Sequence, residues 1–189
     1  MLYKACVDAS VCIPPQRNDS YTHIYYYGSA TFGYYPVIYV DWHMAETFCE
    51  WRGARLPTEA EWEKAARGTG EHIYPWGNSI DCSFANYLGG EKGCVNDTAR
   101  IGSYEDGKSI YGGYDMAGNV WEWVSSLYRP YPYSSTDGRQ DSKASGNRVL
   151  RGGAWNVDGS AVRSSLRFQN DPTSSDGVIG FRCAGGVSP

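Results

Sequence analysis

Three short stretches concentrate the side chains capable of chemistry. From Asp115 to Glu122, two carboxylates and the carbonyls of Gly118 and Val120 fall close together. Hard oxygen donors around a glycine that lets the backbone wrap an ion suit calcium. The other reading is that Asp115 and Asn119 shape a turn while Glu122 pairs with an arginine. The acidic run Thr58-Glu59-Ala60-Glu61-Trp62-Glu63 resembles a catalytic cluster, but Thr58 and Glu61 are spaced as a capping box, and Glu59 and Glu63 suit pairing on a helix surface. All three glutamates therefore read as structural. The third stretch, Arg148 to Phe168, places Gly152-Gly153 between an arginine and a tryptophan and then runs on without a Cys, His or Glu. No soft metal ligand and no histidine or glutamate base follows that turn. His23, His43 and His72 lie far apart and form no ligand spacing.

The elements that must position these residues follow from composition and punctuation. A chain of 189 residues suits one domain, 1–189. Its 16 Tyr, 7 Trp and 23 Gly point to loops held by aromatic anchors rather than to a helical bundle. Net charge is -4 and the basic residues are scattered, which argues against nucleic acid. No apolar run is long enough to cross a bilayer, so membrane insertion is not expected. Of six cysteines, Cys6/Cys12 and Cys82/Cys94 are spaced like local staples, leaving Cys49 and Cys183 as a long-range pair; the alternative is buried free thiols. The pairing favours an oxidising setting: extracellular, cell-surface or periplasmic.

Residues 1–8 read as helix interior, and Val37–Val40 as a short β-prone run. Asp41 caps a helix ending at Arg52, with Trp42, Ala45, Phe48, Cys49 and Trp51 expected toward the core. A second helix runs from Thr58 to about Arg67, with Gly68 as its stop. Between Gly68 and Tyr111 there is turn chemistry but no periodicity, and such a stretch needs a staple or a bound ion. Short strands are expected at 120–124, 148–152 and 179–184. The pattern is α+β: two helices and a small antiparallel sheet, rich in loops.

The motifs RLPTEAEWEKAARG (55–68), YPWGN (74–78), YDMAGNVWEW (114–123), RVLRGGAW (148–155) and IGFRCA (179–184) occur in an order that resembles the formylglycine-generating enzyme / sulfatase-modifying factor family, which has a C-type-lectin-like fold. The resemblance runs from about Val37 to Ala184, and it implies that this chain is truncated before the family's first strand and lead-in, or replaces that part from elsewhere. In the family's aerobic enzymes, copper bound by two cysteines uses oxygen to convert a sulfatase cysteine to formylglycine. The matching positions here are Val157 and Val162, and the assisting serine is Ala154, so no copper and no catalytic residue are expected. The resemblance further implies a Cys49–Cys183 disulfide and calcium at Asp115, Gly118, Val120 and Glu122. It implies a second calcium at Asn86 and the Tyr87 carbonyl, with Asn96 and Asp97 nearby as further donors.

What remains is a frame of fixed-looking residues with a mixed loop between them, within 145–184. Trp121, Trp155, Asn156, Val157, Asp158, Ser160, Leu166, Phe168, Gln169 and Asn170 are expected to line or border a contact surface for a protein or small-molecule ligand, with Leu166 and Phe168 as exposed anchors. Arg151, Arg163, Arg167 and Arg182 are expected to brace the loops internally. The loop also resembles the variable proteins of diversity-generating retroelements. There the randomised positions would be Asn156, Val157, Asp158, Ser160, Ala161, Leu166, Phe168, Asn170, Asp171, Ser174, Asp176 and Val178; each is reachable from an asparagine codon by changing adenines, whereas Gln169 is not. The expected function is thus a non-catalytic binding module. The alternatives are an ordinary divergent member of the family, an oxidoreductase, an accessory domain of an enzyme, or a structural domain of a larger protein.

Overall fold

Asp41 opens α2 (Trp42–Trp51) from an extended backbone, its carboxylate accepting from Met44 N at 2.8 Å. That bond satisfies one of the donors a helix start leaves orphaned. α3 (Glu59–Arg67) carries the expected capping box: Thr58 Oγ1 accepts from Glu61 N, and Glu61 accepts from Thr58 N. Hydrogen bonds from Arg55, then those from Thr58, hold the Glu61 carboxyl down at about 2. A shorter α1 (Leu2–Asp8) buries Tyr3 and Cys6, and the Tyr3 ring stacks 5.3 Å from Phe48 of α2. In this computed structural model, residues 2–91 and 93–185 are described.

The strands are β1 (Ala54–Arg55), β2 (Trp121–Leu127), β3 (Arg148–Arg151), β4 (Phe168–Asn170), β5 (Ile179–Phe181) and β6 (Ala184–Gly185). β1 and β6 pair as a small antiparallel ribbon, while the main sheet has the order β4-β3-β2-β5. β2 is buried along nearly its whole length, and its tryptophans anchor the core. Trp123 donates to Val40 O, and Trp42 donates to Val124 O at 2.9 Å. Burying these indoles leaves no polar group unmatched.

Three expectations need correction. The sheet is mixed, because β5 runs parallel to β2. β4, at the far edge, already runs in the direction of β2, and residues 171–178 carry the chain back past the start of α2, where Pro172 O accepts from Trp42 N and Asp176 O from Tyr39 N. Val37–Val40 forms no strand: Tyr39 sits at φ +57°, which breaks the extended run, while Ile38 and Val40 are simply buried. Trp51 is 37% exposed. It follows Trp42 by nine residues, and at about 100° per residue that places it on the opposite side of the helix.

Candidate functional site

The Gly152-Gly153 turn is dictated by close approach. Both residues have positive φ, and a Cβ on Gly153 would lie 2.6 Å from Val162 Cγ1 and 2.7 Å from Ala161 O. Only glycine fits such a position. Val162 is fully buried and packs with Tyr74, Ala85, Tyr87 and Ala117, while Val157 is partly buried against the same cluster. Neither valine nor Ala154 offers an electron pair, so the residues at this turn do not fit copper.

Arg151 braces the loop from beneath. Its fully buried guanidinium donates to Ser164 O, Ser165 O and Leu166 O at 2.9, 3.1 and 2.6 Å, and to Glu63 at 2.6 Å. Burial lowers its pKa despite Glu63 and Glu59, but an arginine stays charged. Arg167 forms a two-nitrogen clasp on buried Glu59, and Arg182 does the same on Glu122. Glu59, Glu61 and Glu63 are thus structural. Arg163 departs from the expectation, since its side chain is exposed.

On the outer side, Trp121 is buried and its ring lies 5.3 Å from Phe168, which is 50% exposed. Phe168, Gln169 and Asn170 form edge strand β4, and Gln169 accepts from Asn147. Leu166 is half-buried against the main core rather than a free anchor. Asn156, Asp158 and Ser160 are exposed, with Asp158 capping the short turn Gly159–Val162 through Ser160 N. Val157 O accepts from Leu88 N. Trp155 is buried, yet its indole N–H has no partner.

No motif points to Tyr21, which is 70% exposed and packs 5.2 Å from the Trp155 ring. It belongs to a tyrosine-rich run without periodicity, so nothing local ties it to the C-terminal loop. Asp97 fixes the residues on either side of Tyr21: its carboxylate accepts from Ser20 Oγ, Thr22 N, Thr22 Oγ1 and Thr98 N. Burial pushes Asp97 up, but these hydrogen bonds outweigh it and leave the carboxyl below its usual range.

The oxygen-rich segment mixes two arrangements. Asp115 and Asn119 hold left-handed turns at φ +54° and +65°. Both Glu122 oxygens are taken by Arg182, and Trp62 adds a further bond. Asp115 is different: it receives a bond from Gly102 N, but burial raises its pKa more than Arg182 lowers it. The Asn86 backbone lies against Gly118, where a Cβ would meet Asn86 O at 2.3 Å. Asn86 donates to Asp97 O, whereas its buried Oδ1 has no partner. The orphaned Asn86 oxygen and, at a separate place, the buried Asp115 carboxylate are each donors that suit a hard cation. Among the described residues no three His, Cys, Asp or Glu side chains converge, so such a cation would also need carbonyls such as those of Tyr87, Gly118 and Val120.

All six cysteines are paired, as Cys6–Cys12, Cys49–Cys183 and Cys82–Cys94. Such pairing belongs to an oxidising environment. Among the described residues no helix is long and apolar enough to cross a membrane. The sulfatase-modifying factor enzyme 1-like domain model matches residues 15–186. The chain belongs to this family. The match starts upstream of Val37, where the motifs alone begin. Inactive C-alpha-formylglycine-generating enzyme 2 of Bos taurus is 41% identical over 166 residues, covering 81% of this chain and 51% of that protein. Serine/threonine-protein kinase pkn1 of Chlamydia caviae is 39% identical over 159 residues, covering 81% of this chain and 24% of the kinase. The chain therefore spans about half the length of the first relative and a quarter of the second. The solved structure of Treponema denticola variable protein 1 superposes with a TM-score of 0.72 at 24% identity, covering 95% of this chain and 78% of that one, a likeness of fold.

Proposed function

We propose that this domain is a non-catalytic binding module that presents the loop surface after Gly153 to a protein or small-molecule ligand. The observation that carries this reading is a division of burial. Asn156, Val157, Asp158, Ser160, Ala161, Leu166, Phe168, Asn170, Asp171, Ser174, Asp176 and Val178 are each exposed or half-buried, whereas the intervening Val162 and Ser164 and the flanking Gly152 to Trp155 and Ile179 are buried. A rigid floor braced by Arg151 leaves the exposed members of this set free to vary without unfolding the domain, whereas Val157, Leu166 and Val178 also pack against the core. Trp121, Trp155, Gln169 and Tyr21 border this face. The name of the Bos taurus relative, which calls it inactive, agrees with the valines at 157 and 162.

The test is copper(I) retention and oxygen consumption with a cysteine-containing sulfatase peptide. Neither is expected above the protein-free control, and turnover would overturn the reading in favour of an oxidoreductase. The same burial pattern favours retroelement diversification of the loop. A neighbouring reverse transcriptase with a copy of the final segment differing at adenines is the expected observation; its absence leaves an ordinary divergent binding module.

Calcium belongs to the proposal as a structural ion. Asp115 and the carbonyls of Gly118 and Val120 would hold one ion, and Asn86 Oδ1 with the Tyr87 carbonyl would hold a second. Glu122 would join the first only by giving up a contact with Arg182. Bound there, the first ion would neutralise Asp115 near the start of β2, and the second would hold the irregular middle of the chain. The disulfides suit an extracellular, cell-surface or periplasmic location.

A further inference from the structure

On the far side of Arg151, an open cleft of about 350 Å³ lies between the exposed face of α3 and the segment that follows β2. That volume is at the small end of ligand sites. One wall is Glu63, Lys64 and Arg67; the other is Tyr131 and Tyr133. Each tyrosine is backed on one side by a guanidinium, Arg167 at 4.5 Å from the Tyr131 ring and Arg139 at 4.3 Å from the Tyr133 ring. The rings remain 55% and 40% exposed.

The charges in this cleft do not cancel. Glu59 is spent on Arg167, and Glu63 on Arg151 at 2.6 Å, with Arg67 held more loosely at 3.6 Å. Arg67 Nε is buried and has no hydrogen-bond partner. Lys64 is exposed and pairs with no carboxylate among the described residues, its ammonium standing 6.0 Å above the Tyr111 ring. Five cationic side chains, Lys64, Arg67, Arg139, Arg151 and Arg167, thus stand in or behind the cleft walls against three carboxylates, Glu59, Glu63 and Asp137, in a protein whose net charge is negative. A guanidinium held only at 3.6 Å by its carboxylate, beside an unpaired ammonium on the same wall, suits an anionic oxygen acceptor, and the flat tyrosine walls suit a ring.

We infer that this cleft is a second binding site, separate from the loop face, for a small ring-borne carboxylate. The carboxylate meets Arg67 and Lys64, and the ring lies against Tyr131 and Tyr133. An acidic sugar and an aromatic acid share this chemistry. Titration calorimetry of the intact chain with glucuronate, benzoate and neutral glucose separates the sources. Saturable binding of glucuronate, of benzoate or of both is expected, and identifies which ring is accepted; glucose should not bind. A charge-assisted hydrogen bond corresponds to roughly tenfold in affinity. Arg67→Gln and Lys64→Gln should therefore each weaken binding about tenfold, whereas Phe168→Ala on the loop face should leave it unchanged. Lys64 is exposed, so its variant should keep the wild-type melting temperature and decides the matter if Arg67→Gln fails to fold. Failure of both acids to saturate, equal binding of glucose, or unchanged affinity in Lys64→Gln would overturn the inference.

Discussion

Replacing Arg151 by methionine tests whether the loop face rests on a buried guanidinium. Arg151 is fully buried, and its terminal nitrogens serve three carbonyls, those of Ser164, Ser165 and Leu166, as well as the Glu63 carboxylate. Methionine fills much of the volume but leaves those carbonyls without a donor and Glu63 without its close partner. Removing one member of a buried ion pair costs about 3–5 kcal/mol. Domain stabilities total only about 5–15 kcal/mol, so this is a large fraction. For a chain of this size the melting temperature should fall by roughly 6–20 °C. Urea unfolding followed by tryptophan fluorescence measures the loss directly. Arg151→Lys should recover little, because a single ammonium cannot reproduce a planar fork spread over several acceptors. Adding Glu63→Gln to Arg151→Met should regain about 1 kcal/mol by removing the stranded charge. A loss below about 1 kcal/mol in Arg151→Met would refute the argument, since it would mean that water or other donors satisfy the loop carbonyls equally well.

Other outcomes follow from the same contacts. Replacing Cys49 and Cys183 by alanine removes the link between α2 and the segment after β5, and should cost about 2–5 kcal/mol, while the native protein unfolded without reductant should show no free thiol. Asp97 has its folded pKa below the unfolded one, so its contribution is complete above about pH 4 and is lost as pH falls further. Asp97→Asn should therefore lower stability at neutral pH and flatten its decline in acid, as read by denaturant unfolding across pH. If calcium is bound, chelator should lower the melting temperature, and Asp115→Asn and Asn86→Ala should each reduce that response; an identical melt with and without chelator would remove the ion from the proposal.

Much of the scaffold was legible because its signals are local. Asp41, the Thr58–Glu61 box and Gly68 act on backbone groups within a few residues, so both helices emerge from spacing alone. The ordered motifs identified the family, and the valines at 157 and 162 are visible without any structure. Where local signals were weak, the reading failed. A strand as short as Ile179–Phe181 carries no mark of its direction, and Val37–Val40 has strand composition but a left-handed Tyr39 at its centre. Phe168 is exposed as its setting suggests, while Leu166, equally apolar, turns inward toward the core.

By itself, then, the sequence determined which residues could not be a redox centre, which cysteines were available to pair, and where the helices begin and end. Only tertiary structure decided what the charged groups do. Glu122 is satisfied by Arg182, Asp97 by Ser20 and Thr22, and Glu59 by Arg167, each across a long stretch of chain. The physical reason is that a buried charge is defined by its partners, and partners brought together by chain closure leave no periodic trace in the sequence. The same closure brought Tyr21 to Trp155 and set the tyrosines after β2 opposite α3, creating two surfaces that no single motif announces.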